Sequence, residues 1–320
     1  MQAKHASLGL VLVAATVLLL AWRYFRSPRQ QPLPIAGWLG LAVILISEAL
    51  LGLQVKWVSI YFTPLAWTGY ILLVDSLVAS LQGSSLFRRS PGNFVALAAC
   101  SAPLWLIFEA FNLRLKNWAY TGLPSNIVAR DSGYLWAFAT IWPAIFETAD
   151  LASALGVFAS HARPRPPLSR RALTITALVG LVCVAVPVLV PARIGSYLFG
   201  AVWVGFALLL DPLNYVWGGR SLLRDWEDGS TATLKCFLLS GAVCGFVWEF
   251  WNYWAHARWV YIFPILQGWK IFEMPAPGFL GFPPFAVECF VVFEFLRTIA
   301  GRFSGVSKGV APLASARREA

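Results

Sequence analysis

The fold class this chain predicts is an all-α polytopic membrane protein of about nine transmembrane helices, one N-terminal anchor plus two tandem four-helix repeats in parallel orientation. Three observations lead there. Apolar runs recur along the whole sequence, charged residues are only 12% of a chain that is 58% hydrophobic, and one set of residues returns in the same order at a nearly constant spacing. A water-soluble surface needs about twice this share of charge, so the composition excludes an ordinary soluble domain.

The runs that reach the roughly 20 residues needed to cross a bilayer cover 6–22, 35–53, 58–82, 94–112, 134–158, 172–190, 194–213, 234–252 and 278–299. Only Lys4 precedes the first as charge, no small-x-small cleavage site follows it, and Arg23, Arg26 and Arg29 sit behind it. That flank predicts a retained anchor over 1–30 and not a cleaved signal. Runs two to five form membrane repeat 1 (31–160). A Pro- and Arg-rich stretch predicts a cytoplasmic linker over 161–171. Runs six to nine form membrane repeat 2 (172–300), and the small, polar tail 301–320 is expected to be disordered and cytoplasmic.

Lys and Arg fix the expected orientation. With the amino terminus outside, 17 of the 25 fall on the cytoplasmic side and eight on the other, so the chain is expected to be multi-pass in the cell (inner) membrane, N-out and C-in. The net charge of +10 follows from that asymmetry and from attraction to anionic lipid; it implies no nucleic-acid partner. Cys100, Cys183, Cys236, Cys244 and Cys289 lie in apolar runs without close pairs, and His5, His161 and His256 are scattered. Neither set forms a metal site, and no phosphate loop or nucleophile elbow is present, so no cofactor and no metal are expected.

The repeat is read residue by residue. Trp67-x-Gly69-Tyr70-x-x-Leu73-x-Asp75 with Gly83-x-Ser85-Leu86-x-Arg88 returns as Trp203-x-Gly205-Phe206-x-x-Leu209-x-Asp211 with Gly219-x-Ser221-Leu222-x-Arg224, 136 residues later. Glu109-x-x-Asn112 before Trp118-x-Tyr120 returns as Glu249-x-x-Asn252 before Trp259-x-Tyr261, and Pro143-x-x-x-Glu147 as Pro284-x-x-x-Glu288. Three blocks in one order point to a tandem duplication. Four helices per copy is an even number, so both copies keep one orientation and are related by an axis along the membrane normal.

The candidate chemistry lies in the repeated acids. Glu147 and Glu288 fall mid-span, four residues after a proline, and an intramembrane acid is a functional-site hypothesis by default. Glu109 and Glu249 share a helix face with Asn112 and Asn252, at i and i+3, near the outer boundary. Desolvation disfavours the charged form of such acids, so the sequence predicts some held protonated, able to donate, and others ionised, able to stabilise a cation. Asp75 and Asp211, one to two turns from the basic elements, read either as structural, pairing with Arg88 and Arg224 or accepting hydrogen bonds from neighbouring helices, or as supporting residues of the site. Trp118, Tyr120, Trp259 and Tyr261 read either as an interfacial aromatic belt or as an aromatic wall beside the acids. Glu48, Asp150 and Glu294 are secondary candidates.

The order of these elements resembles the integral-membrane lycopene cyclase family in its two-subunit and fused bacterial forms. The matching elements are the Arg88-Arg89 turn, Glu109 with Trp118-x-Tyr120, and Pro143 with Glu147; in the second copy they are Arg224, Trp248-Glu249 with Trp259-x-Tyr261, and Gly281-Phe282-Pro283-Pro284 with Glu288. The chain departs from the family in carrying Glu where the middle helix usually has Asp, a single Glu in place of a Pro-x-Glu-Glu pair, and a fourth helix per copy. The resemblance implies a cofactor-independent carotenoid or terpenoid cyclase-like isomerase, or a hydratase, acting on a membrane prenyl lipid, with catalysis by Glu147, Glu288, Glu109 and Glu249. An ion-coupled transporter or channel with midplane carboxylates and a structural membrane protein are the alternatives. The oligomeric state is not set by the sequence.

Overall fold

Hydrophobic length sets how far each helix runs, and proline, glycine and charge set where it stops. The computed structural model describes residues 3–158 and 163–303. A short strand β1 (Ala3–Lys4) leads into α1 (Ala6–Arg26), α2 (Ile35–Gly52), α3 (Lys56–Gln82), the one-turn α4 (Leu86–Arg89), α5 (Pro91–Leu115), β2 (Trp118–Thr121) and α6 (Ile127–Ala154). Then come α7 (Arg170–Leu189), α8 (Ala192–Gly195), α9 (Phe199–Val216), α10 (Leu222–Glu227), α11 (Ala232–Trp254), β3 (Arg258–Tyr261), β4 (Trp269–Ile271), β5 (Met274–Pro275), a 3-10 turn (Ala276–Gly281) and α12 (Phe282–Phe303).

The protein is mostly helical, and among the described residues eight helices are long and apolar enough to cross a membrane. The expected run 134–158 lies in α6, which at 28 residues is long enough but carries Arg130, Asp131, Glu147 and Asp150. The reason is position. Residues 140–152 of α6 are buried without a break, so protein and not lipid surrounds them, and polar side chains cost less there. α1, α2, α5 and α7 instead turn large apolar residues outward, among them Leu18, Phe25, Trp38, Leu106 and Val182.

Several bounds differ from the sequence expectation. The run 194–213 does not form one helix: α8 turns back over the end of α7, so that a Cβ on Gly195 would stand 2.3 Å from Pro187 O, and α9 starts only at Phe199. The run 278–299 opens inside the 3-10 turn Ala276–Gly281, and α12 starts at Phe282 with Pro283 and Pro284 in its first turn, where their missing N–H groups cost nothing. The connections from α5 to α6 and from α11 to α12 carry strands: β2 pairs with β3, and β4 and β5 form a sheet with the N-terminal β1. The linker is pinned, Arg165 N–H bonding Glu227 O at 2.7 Å. His161 and the tail 304–320 lie outside the described residues.

Packing runs in parallel through the two halves. α2 packs on α3 as α7 packs on α9; α3 meets α6 as α9 meets α12; α5 meets α6 as α11 meets α12. Both first crossings depend on glycine. A Cβ on Gly40 would stand 2.5 Å from Gly69 O, and one on Gly180 2.7 Å from Gly205 O and 2.3 Å from Leu209 N. Backbone-to-backbone approach of this kind is the small-residue contact of membrane helix pairs. Across the halves, α6 packs on α11.

The loops collect at two ends. At one, His5 N–H bonds Lys270 O, His256 N–H bonds Ser59 O, and Asn117 Nδ2 donates to Ser196 O. At the other, Gln30 N–H bonds Ser80 O and Arg23 Nε donates to Leu155 O.

Because backbone atoms cannot move aside, Gly180→Val should destabilise the fold by about 1–3 kcal/mol, read as a lower Tm in detergent. Gly92→Ala, where nothing stands within 4 Å of an added Cβ, should leave Tm unchanged or raised. Equal melting of Gly180→Val and the parent would contradict the close crossing.

Candidate functional site

The two Trp-x-Tyr segments meet. β2 and β3 pair antiparallel with Trp118 opposite Tyr261, Ala119 opposite Val260 and Tyr120 opposite Trp259. The register is self-consistent under exchange of the halves: each Trp faces the other half's Tyr, about a centre at Ala119 and Val260.

An asparagine holds each strand to its helix. α5 ends on Lys116 in the left-handed region, φ 54°, which turns the chain back over the last helical turn. Asn112 Oδ1 then accepts from Asn117 N–H at 2.8 Å and Trp118 N–H at 3.1 Å, while its Nδ2 donates to Trp118 O at 2.9 Å. In the second half Asn252 Oδ1 accepts from Trp259 N–H and Nδ2 donates to Trp259 O, both at 3.0 Å. Each asparagine thus bonds the Trp-x-Tyr segment and not the glutamate on its own helix face. It satisfies backbone groups that would otherwise be stranded at a helix end.

Behind the ribbon stand the two glutamates. Glu109 Oε1 accepts from Trp105 Nε1 at 2.9 Å, Trp118 Nε1 at 3.1 Å and Tyr120 OH at 2.5 Å. Glu249 Oε1 accepts from Tyr261 OH at 2.7 Å, and that hydroxyl accepts from Trp259 Nε1 at 2.9 Å. Glu249 is fully buried and its Oε2 has no partner. Burial, reinforced by the adjacent carboxylates, pushes the Tyr120 and Tyr261 hydroxyls well above their ordinary range, so both remain O–H donors.

The tyrosines form part of a cavity wall. A cavity of about 320 Å³ is lined by Tyr120, Tyr261, Trp105, Trp118, Trp203, Trp248, Trp259 and Phe285 among others, and none of its lining residues carries a formal charge. At its mouth Tyr197, Val204 and Leu280 are exposed. A second cavity of about 70 Å³ shares Trp105, Tyr120, Trp248 and Trp259 with the first and extends between α3 and α6, past Trp67, Tyr134 and Phe138.

The other candidates lie elsewhere. Glu147 and Glu288 are fully buried, and neither carboxyl has a hydrogen-bond partner; neither lines either aromatic cavity. Asp75 approaches Glu147 closely enough for their charges to interact, as does Asp150. Asp211 accepts from Ser221 Oγ at 3.0 Å, Leu222 N–H at 3.0 Å and Leu223 N–H at 2.9 Å, and Asp75 accepts from Phe87 N–H at 3.3 Å. These two aspartates thus accept from the first-turn N–H groups of α4 and α10; Arg224 reaches Tyr215 O instead. Glu48 accepts from Trp251 Nε1, and Glu294 pairs with Arg297 at 2.9 Å. Among the described residues no group of three or more His, Cys, Asp or Glu could hold a metal ion.

Sequence pattern did not mark Trp105, which stands one turn before Glu109 and can therefore reach it. Nor did it mark Lys270 and Glu273, which look like ordinary loop charges yet are buried beside the second pair. Lys270 Nζ donates to Tyr261 O at 3.1 Å, and Glu273 faces Arg258 at 3.9 Å.

Asn112→Ala should lower stability by about 1–3 kcal/mol, since it leaves buried backbone groups unpaired. Asn112→Asp, which keeps the acceptor and loses the donor, should cost less. The order is readable from Tm in detergent, and Asp and Ala variants both melting with the parent would contradict the clamp. Searches of protein-family models, curated proteins and solved structures match nothing to this chain, so the geometry carries the functional reading.

Proposed function

We propose that the chain is an integral membrane enzyme that works without a cofactor, by acid–base chemistry, on a long polyene or prenyl lipid, as a carotenoid or terpenoid cyclase-like isomerase or hydratase. The observation that carries this reading is that two tyrosines, each hydrogen-bonded to a glutamate behind it, converge on the wall of an uncharged aromatic cavity. An apolar chain finds no charge there, and a carbocation formed on it finds tryptophan and phenylalanine ring faces. Its volume lies at the lower end of the roughly 300–1,000 Å³ of ligand pockets, enough for one end of an isoprenoid chain.

The two pairs differ in a way that suits proton transfer in two directions. Three donors on one oxygen of Glu109 complement a charged carboxylate, whereas Glu249, with one donor and an enclosed second oxygen, is suited to carry a proton. Acid and base held in different environments are what such chemistry requires. In an isomerisation, the proton passes from the Glu249–Tyr261 pair to a substrate double bond. The π electrons form the new C–H bond, a neighbouring double bond closes on the cation, and a proton on an adjacent carbon leaves to the Tyr120–Glu109 pair. No net proton is consumed.

In this reading nine helices cross the inner membrane with the amino terminus outside. The halves are tandem copies about an axis along the membrane normal, and the β2–β3 ribbon lies flat at the outer boundary. The symmetric register of the ribbon, the matching glycine crossings and the matching aspartate-held turns support the duplication. The exposed apolar mouth supports lateral entry from lipid. A second reading, an ion-coupled transporter, draws on the fully buried, partnerless Glu147 and Glu288; midplane carboxylates at a repeat interface suit such coupling. Proton-driven flux in proteoliposomes unaffected by Glu147→Gln and Glu288→Gln would count against it.

Membranes containing the protein, supplied with lycopene and a panel of prenyl lipids, should yield cyclised or hydrated products by mass spectrometry. Glu109→Gln and Glu249→Gln should each lower turnover by about 10²–10⁴-fold without loss of folded protein. No turnover across the panel by folded protein would refute the enzymatic reading. A C-terminal green fluorescent protein fusion should fluoresce while a C-terminal alkaline phosphatase fusion stays inactive; the reverse pattern would overturn the orientation.

A further inference from the structure

The two halves place the same elements around the ribbon, yet the spaces they leave differ, about 320 Å³ in the second half and 70 Å³ in the first. The larger cavity lies between α9 and the start of α12, the smaller between α3 and the start of α6. Trp203 lines the first and Trp67 the second, and these tryptophans occupy the same place in the duplicated pattern.

The difference has a local cause. In the first half α6 is helical from Ile127, so its early turns carry Tyr134 to the ribbon. The Tyr134 ring stacks on Phe138 at 5.4 Å and 20°, and meets Tyr120 edge-on at 5.1 Å. In the second half the corresponding stretch holds Pro275, Pro277 and Gly278 and forms β5 and a 3-10 turn; the helix begins only at Phe282. There the edge-on partner of Tyr261 is Phe263, at 6.0 Å and 73°, which lies before the helix and not on it, and the space stays open beside Trp203 and Phe285.

We infer that the protein has one working chamber, in the second half, that takes a single uncharged polyene or isoprenoid chain end through the mouth at Tyr197 and Leu280, and that Tyr134 plugs its twin. This rests on the duplicated arrangement and on the apolar ligand class of the proposed function. The occupant follows from the lining: no formal charge faces it, and the mouth is bordered by exposed apolar side chains on and beside α9. One chamber means one chain end per encounter. A polyene with two identical ends is therefore released after the first end reacts and binds again for the second, and the singly converted product accumulates before the doubly converted one.

The chamber can be tested without turnover. All-trans-retinol is titrated into the full-length protein in nanodiscs, and energy transfer from tryptophan to retinol is recorded against empty nanodiscs; Trp105, Trp118, Trp203, Trp248 and Trp259 all border the chamber. The expected stoichiometry is one retinol per chain. Gly200 lines the chamber with nothing within 4 Å of an added Cβ, so Gly200→Phe should fold and lower retinol affinity at least tenfold. Tyr134→Ala should open the twin and raise the stoichiometry to two. Tm measurements confirm folding of each variant. Two retinols on the parent, unchanged affinity in Gly200→Phe, or a stoichiometry still at one in Tyr134→Ala would overturn the inference. Binding that follows this pattern while no polyene is converted would keep the chamber and remove the enzymatic reading.

Discussion

The antiparallel pairing of β2 with β3 is the interaction on which the rest of the site depends. Four residues from each half meet there, and Tyr120 and Tyr261, the two glutamate-bonded tyrosines of the cavity wall, are carried on them. Without the pairing, Glu109 and Glu249 would each still sit on a helix, but nothing would bring their tyrosines to one wall. The pairing in turn depends on Asn112 and Asn252, which hold the strands to the helix ends by backbone hydrogen bonds at 2.8–3.1 Å. Short strands of this kind are not stable alone; here the helices beneath them supply the missing contacts.

Burial makes those contacts matter. In a low-dielectric interior a satisfied polar group is held strongly and an unsatisfied one is costly. Glu109 is satisfied three times on one oxygen, whereas Glu249 leaves one oxygen without a partner. The two halves thus present the same residue types in different environments, and the cavities beside them differ as well. The difference lies in the sequence after each Trp-x-Tyr segment, helical from Ile127 in one half and from Phe282, after β4, β5 and a 3-10 turn, in the other.

Much of the fold was legible because a membrane imposes a coarse rule on sequence: the apolar runs and their order correspond to long helices with ends shifted by a few residues. The site was legible where residues repeat, as Glu109, Asn112, Trp118 and Tyr120 do. It was not legible where position in the bundle overrides composition. α6 looks less apolar than its neighbours because it is enclosed by them. The small sheets escape because two to four residues of strand leave no period to read. Lys270 and Glu273 are buried by tertiary structure alone, and the contact of Gly40 with Gly69, repeated by Gly180 with Gly205, becomes visible only when helices cross. Glu147 and Glu288, singled out by depth, are buried as their runs imply but stand away from the aromatic cavities, and Asp75 and Asp211 serve the turns beside them.

The ribbon itself can be tested directly. Residues opposite one another in an antiparallel pair have Cα atoms about 4.5–5.5 Å apart, within reach of a disulfide. In a cysteine-free background with a protease site inserted in the linker after Pro167, Ala119→Cys and Val260→Cys together should form an oxidative crosslink in native membranes, so that the cleaved halves stay joined until a reductant is added. Halves that separate without reductant, while a control pair placed across α6 and α11 stays joined, would contradict the pairing on which the account rests.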